Sequence, residues 1–179
     1  MTWLLTLYAR AAALVDRQDG WLLPTAARLV FAGVLFGYFW ASAATKLEGV
    51  FTPSLGAYAQ IFPKAFEAAG YDVGQLGLWH KLVVLAGAWA EYALPVLVVL
   101  GLFTRLAALG MAGFVVVQSL TDILGHGAAA GAWFDRASDA LILDQRAFWM
   151  LLFLVLIVKG AGPLSADRML GRALPRLDA

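Results

Sequence analysis

The sequence contains no cysteine. That excludes disulfides, thiol-redox catalysis, cysteine-ligated iron–sulfur clusters and covalent haem attachment, so any redox role must borrow its electron carrier. Histidine is nearly as scarce. His80 and His126 are the only two, too few for a four-histidine haem pair or a tris-histidine metal site within one chain. Charge is scarce as well: Asp, Glu, Lys and Arg make up 14% of the 179 residues and the net charge is +1. No basic field is available to capture nucleic acid, and no nucleic-acid partner is expected. The remainder is apolar, with 62% hydrophobic residues and a mean hydropathy of +0.78. Such a composition belongs to a membrane protein rather than a soluble domain.

Asking where the charges stop locates the spans. Between Arg28 and Lys46 lies "LVFAGVLFGYFWASAAT", which as a helix reaches roughly 27 Å and crosses a bilayer with snorkelling ends. The same reading gives four spans at about 25–47, 79–103, 105–124 and 144–163. The joint "GLFTR" is so short that the second and third must form an antiparallel hairpin. Arg10, Arg17, Arg28, Arg105, Lys159, Arg168, Arg172 and Arg176 fall on the side of the termini, against Lys46, Lys64, Lys81, Arg136 and Arg146 on the other. Both termini are therefore expected to be cytoplasmic. The start, "MTWLLTLYARAAALVDRQDG", lacks the basic lead of a signal peptide and is read as retained.

Outside the spans, "WLLTLYARAAALV" suits an N-terminal interfacial helix and "RMLGRALPRL" a C-terminal one, capped by the preceding "SAD". The first outer loop, residues 51–79, is aromatic and nearly uncharged. It is predicted to fold back as short helices broken at Pro53, Pro63 and Gly70. In the third loop, Trp133 and Phe134 look like interface anchors. The fold class is thus an all-α membrane protein: one domain over 1–179, built as a four-transmembrane-helix bundle with interfacial helices at both ends.

Three marks recur in a fixed order around these spans. An arginine opens span one and a lysine closes it ("ARLVFAGVLFGYFWASAATKL"), a glutamate precedes a Gly-Leu-x-Thr-Arg turn ("EYALPVLVVLGLFTR"), and "GAGPLSAD" follows span four. From Arg28 to Asp167 the chain resembles the DoxX family. That resemblance implies a multi-pass protein of the bacterial inner membrane, associated with oxidoreductases. The related DoxD proteins are subunits of a thiosulfate:quinone oxidoreductase. A catalytic residue set is not implied.

Depth arithmetic says more about Glu91. Glu91 lies 14 residues before Arg105 and Gln118 lies 13 after it, so in the hairpin both sit roughly 20 Å from the turn. Fourteen residues beyond Arg28 comes Ser42; one turn further out come Lys46 and Asp122, and above those His80 and His126. On each helix these marks share a face, describing a polar wedge that enters from the outer side. Pro95 cannot donate to the carbonyl of Glu91, which adds a freed backbone acceptor at that level. A lone ionised Glu at this depth costs roughly 3 kcal/mol on insertion scales, so Lys46 is its expected partner.

Three readings of the wedge remain open at this point. Glu91, Gln118 and Ser42 can be interhelical glue, worth about 0.6 kcal/mol per hydrogen bond. Alternatively Ser42, Lys46, His80, Glu91, Gln118 and Asp122 line a ligand or proton site with Glu91 as its catalytic candidate. The weakest pattern is a metal site of His80, Asp122 and His126. At the inner face Asp167 is expected to pair with Arg28, or else with Arg105. The aromatic run Phe31, Phe36, Tyr38, Phe39 and Trp40 is read as packing before ring stacking.

Two function classes follow. In one, the chain is a redox-linked subunit whose wedge binds a quinone headgroup, with Lys46 or His80 on a carbonyl and Glu91 carrying a proton. It has no cofactor of its own, so electrons come from a cofactor-bearing partner. The alternative is a non-catalytic membrane scaffold or small solute or ion transporter. A homo-oligomer is compatible with both.

Overall fold

The computed structural model describes residues 2–16 and 18–173. Arg17, Arg176 and the end of "RMLGRALPRL" lie outside the described residues. The chain runs through α1 (Thr2–Asp16) into α2, a Gly20–Ala44 helix long and apolar enough to cross a membrane. A short antiparallel ribbon follows, β1 (Leu47–Gly49) and β2 (Thr52–Pro53). The outer loop then forms α3 (Leu55–Ile61) and α4 (Pro63–Ala68). Three more candidate spans complete the bundle: α5 (Leu78–Leu100), α6 (Thr104–Gly125) and α7 (Leu141–Lys159). An amphipathic α8 (Ala166–Ala173) closes the described chain.

The expected loop breaks fall where backbone chemistry puts them. Ser54 follows Pro53 and its hydroxyl accepts from the N–H of Ala57, capping α3. Pro63 sits in the first turn of α4, where its missing N–H costs nothing. Gly70 turns at φ +62°. The ribbon was not legible in the sequence; it forms because Ser54 donates its backbone N–H to the Lys46 carbonyl, folding the loop back on the end of α2. Trp89 of α5 ties that ribbon down by donating to the Val50 carbonyl at 3.0 Å.

Each span packs against its sequence neighbours, and α2 also packs against α7, closing a ring. Phe31, Leu35 and Phe39 from α2, Met111 and Val115 from α6, and Phe153 and Leu156 from α7 fill its centre. A second, smaller core of Ala57, Tyr58, Phe66 and Val84 seats the outer loop on α5. Outward faces carry Leu, Val, Trp and Phe, as hydrocarbon requires. Three spans contain stretches of wider, π-helical turn, at Phe31–Phe36, Thr121–Gly125 and Leu141–Gln145. The last two flank the outer end of the bundle.

Candidate functional site

Near the outer third of the bundle α2 and α5 bring three polar side chains together. Lys46 Nζ donates to both carboxylate oxygens of Glu91, at 3.0 and 2.7 Å. It also donates to the Ser42 hydroxyl at 2.6 Å and the Ser42 carbonyl at 3.3 Å. Ser42 Oγ in turn lies 3.2 Å from Glu91 Oε1 and donates to it. Lys46 and Glu91 are only 5% and 2% exposed, so solvent screening contributes little and the pair is held in a low-dielectric setting. The spacing of Ser42 and Lys46, one turn apart on one face, is what lets a single α2 surface grip one carboxylate. Helix α5 runs through Pro95 without a break; the proline withholds a donor from the Glu91 carbonyl but does not open the helix.

This cluster forms one wall of a cavity of about 520 Å³ between α2, α5 and α6. Gln118, Asp122 and His126 of α6 line it, together with Tyr38 of α2. The cavity exists because the facing positions are small: Gly87 and Ala90 on α5, Gly110 and Gly113 on α6. Gln118 donates to the Tyr38 hydroxyl at 2.8 Å rather than to Glu91. Its amide oxygen is buried without a hydrogen-bond partner, an unused acceptor in the cavity wall.

Asp122 also faces away from the cavity to Arg146, with 2.6 Å between Oδ2 and the guanidinium. Arg146 donates to Ser119 Oγ at 2.9 Å as well and is 2% exposed. Arg146, counted above only among the basic residues away from the termini, is a buried counter-ion for Asp122. The π-helical turns explain the difference, since Leu141–Gln145 leads directly into Arg146 and Thr121–Gly125 contains Asp122. Wider turns rotate side chains away from where a 3.6-residue count puts them. An arginine one turn inside a span, level with an aspartate on a neighbouring span, was the available signal.

His126 lines the cavity and its Nε2 lies 2.9 Å from the Gln60 carbonyl. His80 does not line it. Its ring packs edge-on against Phe62, the residue that ends α3, with ring centroids 4.8 Å apart. Among the described residues no three His, Asp or Glu side chains gather in metal-ligand fashion.

At the opposite, terminal end, Arg28 meets backbone rather than a carboxylate. Its guanidinium donates to the carbonyls of Val98 (3.1 Å) and Val99 (2.5 Å) at the end of α5, and to those of Ala161 (3.0 Å) and Leu164 (2.5 Å). Those of α5 are carbonyls of the helix C-terminus, the negative end of its dipole, where Val98 also accepts the Gly101 N–H at 3.1 Å. Asp167 caps α6 instead, accepting from the N–H groups of Phe103 (2.7 Å) and Thr104 (3.0 Å). The expected Arg28–Asp167 contact is thus replaced by two grips on one turn. Arg105 donates to the Val158 carbonyl at 3.3 Å and does not take Asp167 either. Gly101, left-handed at φ +67°, sits between the two grips, and its carbonyl accepts from the Asp167 N–H at 2.8 Å.

The aromatic run of α2 mainly packs. Phe31 meets Phe153, Phe39 meets Phe114 and Trp149, and Trp40 meets Tyr92. Only Tyr38 of that run reaches the cavity. A family model described as DoxX matches residues 23–122, a segment that carries every cavity-lining residue except His126. No curated protein and no solved structure matches the chain.

Proposed function

The chain belongs to the DoxX family, and from that premise we propose that it is a redox-linked subunit of the bacterial inner membrane whose cavity receives a quinone-type headgroup. The observation that carries this reading is the buried Glu91–Lys46 pair set in the wall of a mostly apolar cavity of about 520 Å³. That volume lies within the common range for small-molecule sites, which combine apolar walls with a few polar groups. The polar pair fits both forms of such a ring: Tyr38, whose oxygen accepts from Gln118, keeps its O–H to donate to a quinone carbonyl, and the unused Gln118 amide oxygen can accept from the O–H of the reduced quinol.

Each residue then has a task. Gln118 and Tyr38 orient the headgroup. Glu91 holds or passes a proton at its carboxylate, and Lys46 fixes that carboxylate and balances its charge. A bound quinone would supply the electron-accepting chemistry, with a cofactor-bearing partner as the source of electrons. The competing reading is a scaffold or small-solute transporter. In its favour, Lys46 already spends its donors on Glu91 and Ser42, as interhelical glue would.

Glu91→Gln separates the two. It keeps the shape and most of the hydrogen bonding but leaves the buried Lys46 without its counter-charge, so the variant should still fold and insert while melting below wild type in detergent. Under the redox reading, complementation of the gene-deletion phenotype should be lost, and quinone should copurify with the wild-type protein. A fully functional Glu91→Gln variant would sink the site and leave the scaffold.

Orientation belongs to the same proposal: both termini are placed in the cytoplasm. Lys46 and Arg146 are consumed by buried pairs, which leaves Lys64, Lys81 and Arg136 exposed on the loop side and sharpens the asymmetry in basic residues. A reporter fused at Ala179 should be active only in its cytoplasmic form. Activity of an export-dependent reporter there would reverse the topology.

A further inference from the structure

The direction in which the cavity opens decides what can enter it. Its outer end is crossed by the end of α3. Ile61 reaches α5, where its Cδ1 lies 3.8 Å from the position a Cβ would take at Gly87. Pro63 presses on α6, its Cγ 2.8 Å from the corresponding position at Gly125. The Gln60 carbonyl meets His126 beside them. The inner end is closed by Leu94, which stands 3.0 Å from where a Cβ would project at Gly110. Behind lies the buried Lys46–Glu91 pair.

One side remains. Ala86 on α5, and Gly113 and Val117 on α6, line the cavity and are also exposed on the outer surface of their spans. Leu82 and Trp89 continue that exposed surface on α5, as Leu109, Val116 and Leu120 do on α6. In a bilayer these faces meet acyl chains, since a spanning helix exposes its apolar side to hydrocarbon. A Cβ added at Gly113 would meet no atom within 4 Å, so the gap between the two helices is open at that point.

We propose that the cavity is loaded sideways from the bilayer, through a window bounded by Ala86, Gly113 and Val117. Its occupant is a neutral amphiphile dissolved in the membrane, with the headgroup turned to Glu91 and Gln118 and the tail left among the lipids. Neutrality follows from the charges: Lys46 cancels Glu91, and Arg146 cancels Asp122 from behind. An unpaired charge brought in by a ligand would have no partner at this depth. This inference rests on the reading that the cavity holds a ligand, and it excludes a water-borne ion or polar solute as that ligand.

The window can be shut with Gly113→Phe, whose side chain has open space to enter, or with Val117→Trp from the same rim. In liposomes, wild-type protein should bind a decyl-tailed benzoquinone, and each variant should weaken that binding at least about tenfold with its melting temperature retained. Wild-type affinity in both variants, with folding intact, would overturn lateral loading. Failure of the wild type to bind the probe would instead defeat the quinone reading. The window then has its own measurement, which uses the absence of native cysteine. A single nitroxide attached at Gly113→Cys should collide more with oxygen than with a water-soluble nickel chelate, and one at Gln60→Cys should show the reverse order. Chelate access at position 113 would mean that the cavity opens to water.

Discussion

Lys46→Met should cost about 3–5 kcal/mol, because it strips the Lys46 counter-ion from a carboxylate that is 2% exposed. The double variant Lys46→Met with Glu91→Leu should recover most of that loss, since a buried ion pair replaced by apolar groups of similar size is often neutral or better. Thermal stability of the two singles and the double in detergent gives the comparison. A double variant as unstable as Lys46→Met would mean that the pair organises the outer half of the bundle beyond its own charges. A stable double variant that fails to complement the deletion would separate what the pair does for function from what it does for folding. Ser42→Ala provides a scale: it removes one neutral partner from the cluster and should cost only about 1 kcal/mol.

That pair was legible in the sequence because depth along a span is set by a rise of 1.5 Å per residue, and an intramembrane Glu needs a partner at its own level. Counting from Arg28 and Arg105 puts Ser42, Lys46, Glu91 and Gln118 together, and all four line one cavity. The count failed where turns stop being α-helical or where backbone enters. The pairing of Arg146 with Asp122 escaped it, because the π-helical start of α7 leads into Arg146. His80 is about three turns from Glu91 on a compatible face, yet Phe62 covers it, and the path of an irregular loop leaves no periodic trace. Arg28 was paired by charge, whereas its partners are four carbonyl oxygens, which every residue carries and no residue type announces.

The marks that carried the family resemblance divide between the two ends of the bundle. Lys46 and Glu91 stand in the cavity wall. Arg28, the Gly101–Arg105 turn and the "GAGPLSAD" segment meet at the terminal end. The latter group holds the α5–α6 hairpin closed at its base, and Leu94 against Gly110 continues that contact upward. The hairpin's outer end, by contrast, is held apart by the end of α3. A cavity between α5 and α6 therefore depends on a tight base as much as on small residues along its walls.

The base predicts the second large effect. Gly101→Ala should lose at least about 3 kcal/mol: a non-glycine residue at φ +67° is strained by roughly 1–3 kcal/mol on its own. The new Cβ would also fall 2.6 Å from Ser165 Cβ and 2.8 Å from Arg28 Cζ, so one of the two grips must let go. Arg28→Ala should be comparably severe, because it takes the charged donor from four carbonyls at once, two at the end of α5 and two in the segment after α7. Asp167→Ala removes a helix cap and should cost about 0.5–2 kcal/mol. Although Arg28 and Asp167 form no ion pair with each other, both hold the segment from Val98 to Thr104 from opposite sides. Once either releases it the other has less to hold, so the double variant should fall short of the sum by roughly 0.5–3 kcal/mol. Additive losses across that cycle, measured as melting in detergent, would mean that the turn is fixed by two independent latches and that Gly101 does not couple them.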